Sequence, residues 1–130
     1  MQLPLQLPPT RQDRGQRAYL SGLSAETSVA RHLERSGLVV VAERWRGRGG
    51  EIDLILRDGD TFIFVEVKKA RSFDAALNSL REAQMHRIHA AASEYLAHTP
   101  NGQLTDVRFD LALVNETGQV QIIENAFSHF

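Results

Sequence analysis

Charged and apolar residues alternate at period two in two neighbouring stretches, Gly50-Glu51-Ile52-Asp53-Leu54-Ile55 and Phe64-Val65-Glu66-Val67-Lys68. That alternation is the pattern of a strand with one apolar and one charged face. The lead-in Phe62-Ile63-Phe64 and the flanking Ile52, Leu54, Val65 and Val67 predict interior strands rather than a solvent-facing pair. Asp58-Gly59 between them predicts a tight turn, so the two strands pair antiparallel as a hairpin. Upstream, Ala25, Val29, Ala30 and Leu33 follow helical spacing over 24–36, with Ser21 or Ser24 to cap the start and Gly37 to end it. Leu38-Val39-Val40-Val41 follows as a β-branched run, then a loop of arginines and glycines through Gly50, which makes a three-stranded meander with the hairpin. Downstream, Met85, Ile88, Ala92, Tyr95 and Leu96 form the apolar stripe of a helix from about Leu80 to Ala97, broken by Pro100-Asn101-Gly102. Segments 107–114 and 119–123 read as two further strands about a Glu116-Thr117-Gly118 turn. The predicted order is α, three β, α, two β: an α/β domain with a mixed central sheet flanked by helices.

Composition narrows the chemistry. A chain of 130 residues is one domain, here taken as 15–130. Residues 1–14, rich in Leu, Pro and Gln, read as a flexible tail rather than a signal peptide, because no uninterrupted apolar stretch follows a basic start. With no cysteine, disulfides, thiolate metal sites and cysteine nucleophiles are excluded. No apolar run approaches the ~20 residues of a membrane span, so a cytoplasmic protein without membrane partners is expected. A net charge of -1 gives no overall pull toward polyanions, and any nucleic-acid role must rest on a local patch. Arg44, Arg46 and Arg48 before the first hairpin strand, and Lys69 and Arg71 after the second, are the candidates.

Charges on interior strands require a reason. Side chains at i and i+2 share a face about 7 Å apart, so Glu51 accompanies Asp53 and Glu66 accompanies Lys68. Across the hairpin, Asp53 and Glu66 come close. Glu26 lies three residues before Val29 and seven before Leu33, on the apolar face of its helix. Three converging carboxylates repel, and desolvation adds several kcal/mol per ion. A divalent cation, Mg²⁺ or Mn²⁺, resolves this with oxygen ligands from Asp53, Glu66 and Glu26. Lys68 then stands beside the metal, where an ammonium can orient water and offset charge on a phosphate transition state. The bland alternatives are a solvent-facing Glu-Lys ladder, and for Glu26 a carboxylate favoured by the helix dipole. Trp45 reads as a core residue rather than a base-stacking platform, and Arg108 with Asp110 as a structural pair. His86 and His89 have metal-ligand spacing but no third ligand, and read as a solvated face. No Gly-Xaa-Ser-Xaa-Gly elbow appears.

An acid on a strand followed thirteen positions later by Glu66-Val67-Lys68 resembles the PD-(D/E)xK superfamily of restriction-endonuclease-like nucleases. More narrowly, the chain from Gly22 to Phe127 resembles the YraN family of small bacterial proteins. The match runs through Ala25-Glu26, Trp45-Arg46, Gly50 to Ile55, Phe64 to Lys68, Arg108-Phe109-Asp110 and Asn125-Ala126-Phe127. The resemblance implies a restriction-endonuclease-like fold related to junction resolvases, with Glu26, Asp53, Glu66 and Lys68 in metal and catalytic positions. It implies DNA as partner, branched DNA included, and by analogy a homodimer. Two positions depart from the family pattern: Lys69-Ala70-Arg71 stands where Thr-Arg commonly follows the Glu-Val-Lys, and Gln84 stands where a lysine is often found. Both move or remove positive charge near the site.

Overall fold

A computed structural model describes residues 25–128. The tail assigned to 1–14 and the candidate caps Ser21 and Ser24 lie outside the described residues. Helix α1 occupies residues 25–35 and buries the expected Ala25, Val29, Ala30 and Leu33. Gly37, at φ 95°, ends it: Gly37 N–H donates to Glu34 O (3.0 Å) and Leu38 N–H to Leu33 O (3.2 Å). That pair of bonds is the left-handed cap for which glycine is favoured.

Strand β1 (Val39–Arg46) is longer than the sequence pattern indicates. Arg44 and Arg46 belong to the strand, and only Gly47 to Gly50 form the loop. Pairing with β2 hides this extension from hydropathy, because β1 is an edge strand with exposed polar positions. The loop is held to the long helix by Glu94, whose carboxylate accepts Arg48 N–H (2.7 Å) and Gly49 N–H (2.6 Å). A Cβ on Gly49 would stand 2.8 Å from that of Ala90, so glycine permits the approach.

Strands β2 (Glu51–Asp58) and β3 (Thr61–Lys69) form the expected hairpin, with Gly59-Asp60 rather than Asp58-Gly59 at the turn. Gly59 takes a φ of 60° there. Between β3 and β4 (Val107–Val114) the pairing is parallel, which requires a crossover. The crossover holds two helices, not one: α2 (Phe73–Asn78), then α3 (Glu82–Leu96). α2 is too short for its periodicity to show. Its Ser72 cap, accepting Ala75 N–H at 3.2 Å, was its one sequence signal. β5 (Val120–Ile123) closes a five-stranded mixed sheet of order β1-β2-β3-β4-β5.

Helices cover both faces. Leu54, Leu56, Ile63, Val65, Ala112 and Val114 pack with α1. Ile52, Ile55, Phe64 and Phe109 pack with Ile88, Ala91, Ala92 and Leu96 of α3, and Leu111 and Leu113 with Ala76 of α2. A fully buried side chain of the Leu, Ile or Phe class contributes about 1.5–3 kcal/mol, and β2 and β3 carry most of them. Trp45 is a core residue, edge-on to Tyr95 at 5.5 Å. His86 is exposed beside Glu82 (3.5 Å). His89 is not solvated: it stacks on Phe109 at 3.9 Å and its Nε2 lies 2.7 Å from Phe127 O. Arg108 and Asp110 form the expected pair, with Arg108 Nε and Nη2 donating to the buried Asp110 carboxylate at 2.8–3.1 Å.

Candidate functional site

The hairpin places Asp53 and Glu66 one step beyond its last paired residues, Leu54 and Val65. At that step the ladder gives way to a side chain, and Val67 N–H donates to Asp53 Oδ2 (2.8 Å). The interruption also shifts the alternation. Ile52 and Ile55 both pack toward α3, whereas Leu54 packs toward α1, so the strict period two expected across Glu51 to Ile55 slips at Asp53. On β3 the alternation holds, and Lys68 Nζ lies 3.5 Å from Glu66 Oε1. Gln84 from α3 donates to the same oxygen at 2.8 Å. A cavity of about 320 Å³ opens here, lined by Glu51, Asp53, Glu66, Gln84, Arg87 and Ile88.

Burial dominates the electrostatics. The Glu66 carboxyl, 6% exposed, is pushed up to about 8 by desolvation and then by the Asp53 charge, against the pull of Lys68. Asp53 is also raised by burial, although Val67 N–H and its hydrogen bond with Glu66 favour its charged form. Glu26 is raised to about 7, first by burial and then by Asp53, with Arg44 opposing. A carboxyl raised above its ordinary value stabilises the fold fully below the unfolded value and loses that contribution as pH climbs through the folded one. The metal-free protein is therefore expected to lose stability from about pH 4.5 to about pH 8, and Glu66→Gln to flatten much of that fall. Melting temperatures at stepped pH in a chelator check this; an unchanged slope in the variant would refute it.

A buried and a half-buried carboxyl group that resist ionising together, Glu66 and Asp53, fit a divalent cation. Val67 N–H holds Asp53 through Oδ2 and Gln84 holds Glu66 through Oε1, so a cation would take the place of the proton the two carboxyl groups now share in their mutual hydrogen bond. Among the described residues no three carboxylates or imidazoles converge as a ready-made cage. The fit is therefore to an ion such as Mg²⁺ or Mn²⁺ that uses one or two carboxylates and completes its shell with water and phosphate oxygens.

Glu26 joins this region from α1, its side chain 17% exposed and 3.8 Å from Arg44 Nη1. Arg44, at φ 51°, occupies the β1 position that the flanking pairs Glu43↔Leu54 and Trp45↔Ile52 set opposite Asp53. It also contacts Glu51 Oε1 at 3.4 Å. The expected convergence of Asp53, Glu66 and Glu26 is thus accompanied by an arginine, since Arg44 contacts both Glu26 and Glu51. Arg46 likewise donates to Glu51 Oε2 at 3.0 Å. Arg44 and Arg46 thus both contact the acidic cluster through Glu51, and the Arg46 side chain stays 78% exposed. Arg48 is exposed on the loop, and Arg71 is exposed with Glu116 at 4.0 Å. Lys69 lines a different cleft, with Ala25 and Ser28 of α1.

Gln84, expected only as the replacement of a lysine, Ile88, expected only in the apolar stripe, and Arg87, not expected at all, join the cavity from α3. Their i, i+3, i+4 spacing on a helix that follows the Glu-Val-Lys strand was the available signal. The mixed sheet, the flanking helices and the Asp53 to Glu66-Val67-Lys68 spacing place the chain among nuclease-like α/β folds. The chain belongs to the Uncharacterised protein family UPF0102, the YraN family, whose model matches residues 25–114. It is 58% identical to the UPF0102 protein of Ruegeria pomeroyi, over 89% of this chain and 94% of that one. Identity to the relative from Cereibacter sphaeroides is 56%, over 88% of this chain and 97% of that one. The relative from Roseobacter denitrificans is 51% identical over 95% of this chain and 97% of its own. Among the described residues no helix is long and apolar enough to cross a membrane.

Proposed function

We propose that this protein is a Mg²⁺- or Mn²⁺-dependent nuclease that hydrolyses DNA phosphodiester bonds, with branched, junction-like DNA as the substrate class. The observation that carries the reading is the meeting of the buried Glu66 and the half-buried Asp53 in the wall of an open cavity, with Lys68 Nζ 3.5 Å from Glu66. Asp53 and Glu66 hold the cation, with Glu26 as a further carboxylate beside them. The cation supplies Lewis-acid chemistry at the phosphate. Lys68, fixed against Glu66, orients the attacking water and offsets charge that builds on the phosphate oxygens. Val67 N–H keeps Asp53 in place, and Gln84 does the same for Glu66. Two incisions in a branched substrate take two sites, which a symmetric homodimer provides. A chain without cysteine suits a reducing cytoplasm.

Asp53→Asn tests this, because the amide oxygen still accepts Val67 N–H while the charge is lost. Wild type should melt at a higher temperature with Mg²⁺ or Mn²⁺ and cleave junction DNA; the variant should do neither. Equal cleavage by both would sink the proposal. A second reading, a nucleic-acid-binding or assembly module that keeps the fold without turnover, draws on Gln84, which engages Glu66 Oε1 where a lysine is often found. Salt-sensitive DNA binding with no cleavage under either metal would favour it.

A further inference from the structure

Two clefts adjoin between α1 and the β4–β5 turn. One, of about 620 Å³, is lined by Ser28, Arg31, His32 and Arg35 across from Gly118 to Val120. The other, of about 250 Å³, includes Ala25, Ser28 and Lys69. Ser28 and Gly118 belong to both, so the two form one groove. Ser28, Arg31 and Arg35 recur at i, i+3 and i+7 along α1, one face of the helix.

Two of the groove's cations, Arg31 and Arg35, carry charge that no acid among the described residues offsets. Among the described residues neither Arg31 nor Arg35 takes part in an ion pair, whereas Arg44 and Arg46 are held by Glu26 and Glu51. The acidic side chain in the groove, Glu116, lies 4.0 Å from Arg71. The sequence before α1 carries Arg11, Arg14 and Arg17 against Asp13 alone, so its balance is positive. The groove begins next to the carboxyl pair along the chain, on the α1 side of the sheet. Lys68 and Lys69 are consecutive on β3 and alternate across the sheet: Lys68 meets Glu66, and Lys69 lines the groove. Ala25 lines the groove while its neighbour Glu26 feels the Asp53 charge. From Ala25 to Arg35 the helix spans about 15 Å at 1.5 Å per residue, or roughly four phosphate steps of one strand of duplex DNA at about 3.4 Å each.

We infer that this groove is a track for the sugar-phosphate backbone of duplex DNA, with Arg31 and Arg35 as phosphate contacts, leading away from the Asp53–Glu66 site. The choice of DNA as the polyanion rests on the nuclease reading; the groove and its charge do not. The test is equilibrium binding of a labelled DNA duplex to the full chain in a chelator, across a salt series, for wild type and for Arg31→Gln combined with Arg35→Gln. Both residues are exposed, and the double variant should melt as wild type does. Its slope of log K against log salt should be shallower by about 2, near one unit per lost phosphate contact. An unchanged slope overturns the inference, as does a wild type that binds anionic lipid vesicles but not the duplex. Asp53→Asn should keep the wild-type slope. If that variant also cleaves as wild type does, the nuclease reading fails while the groove result stands.

Discussion

Lys68→Ala is expected to lower metal-dependent DNA cleavage by about 10²–10³-fold, the usual cost of removing one preorganised charge from a developing oxyanion. The metal-dependent rise in melting temperature should persist, because the carboxyl oxygens that would hold the ion are untouched. Lys68 has a second effect that the assay must separate. Its ammonium, 3.5 Å from Glu66 Oε1, pulls the Glu66 carboxyl down against burial. Without it Glu66 holds its proton to a higher pH, and metal affinity at neutral pH should weaken. Cleavage is therefore compared at saturating metal and at two pH values. A loss that vanishes at saturation would mean that Lys68 acts only through Glu66. A loss that persists there, with binding restored, is the expected result. Lys68→Arg should recover part of the rate, since charge is kept while geometry changes.

Asp110→Ala is expected to destabilise the protein by about 3–5 kcal/mol, the cost of leaving a largely buried charge without its partner. Asp110 is 1% exposed and receives the Arg108 guanidinium side-on through Nε and Nη2. It also accepts Asn125 N–H at 3.0 Å, fixing the turn after β5 in which Asn125 adopts a φ of 56°. Truncation strands both donors, and Glu124, 3.7 Å from Arg108 and 67% exposed, is a weak substitute. At roughly 4 °C per kcal/mol for a domain of this size, the melting temperature should fall by on the order of 15 °C. Glu124→Ala, in contrast, should change stability by no more than about 0.5 kcal/mol. Equal losses in the two variants would show that the buried pair carries no special share.

The hairpin, α1, α3 and the last two strands were legible because each has a full period of burial on one side. Phe62 to Val67 could hardly be anything but an interior strand. α2 escaped because six residues hold less than two turns, and the need for it arises only from the parallel β3–β4 pairing, which no local pattern announces. The arginines at 44 and 46 misled because charge and glycine looked like loop, while their strand state comes from partners on β2. At the site, Glu66 and Lys68 follow directly from alternation. Asp53 was found, but not the slip in the ladder beside it, since that depends on a side chain replacing a main-chain acceptor. Glu26 pointed inward as its helical position required, yet its arginine partner came from a residue read as surface.

At Asp53 a carboxylate does the job of a carbonyl, so the sheet continues there through a functional group. Under the proposed role, shape and chemistry share one side chain. Substitutions that discard the oxygen loosen the strand along with the site, and only amide-for-acid exchange separates the two.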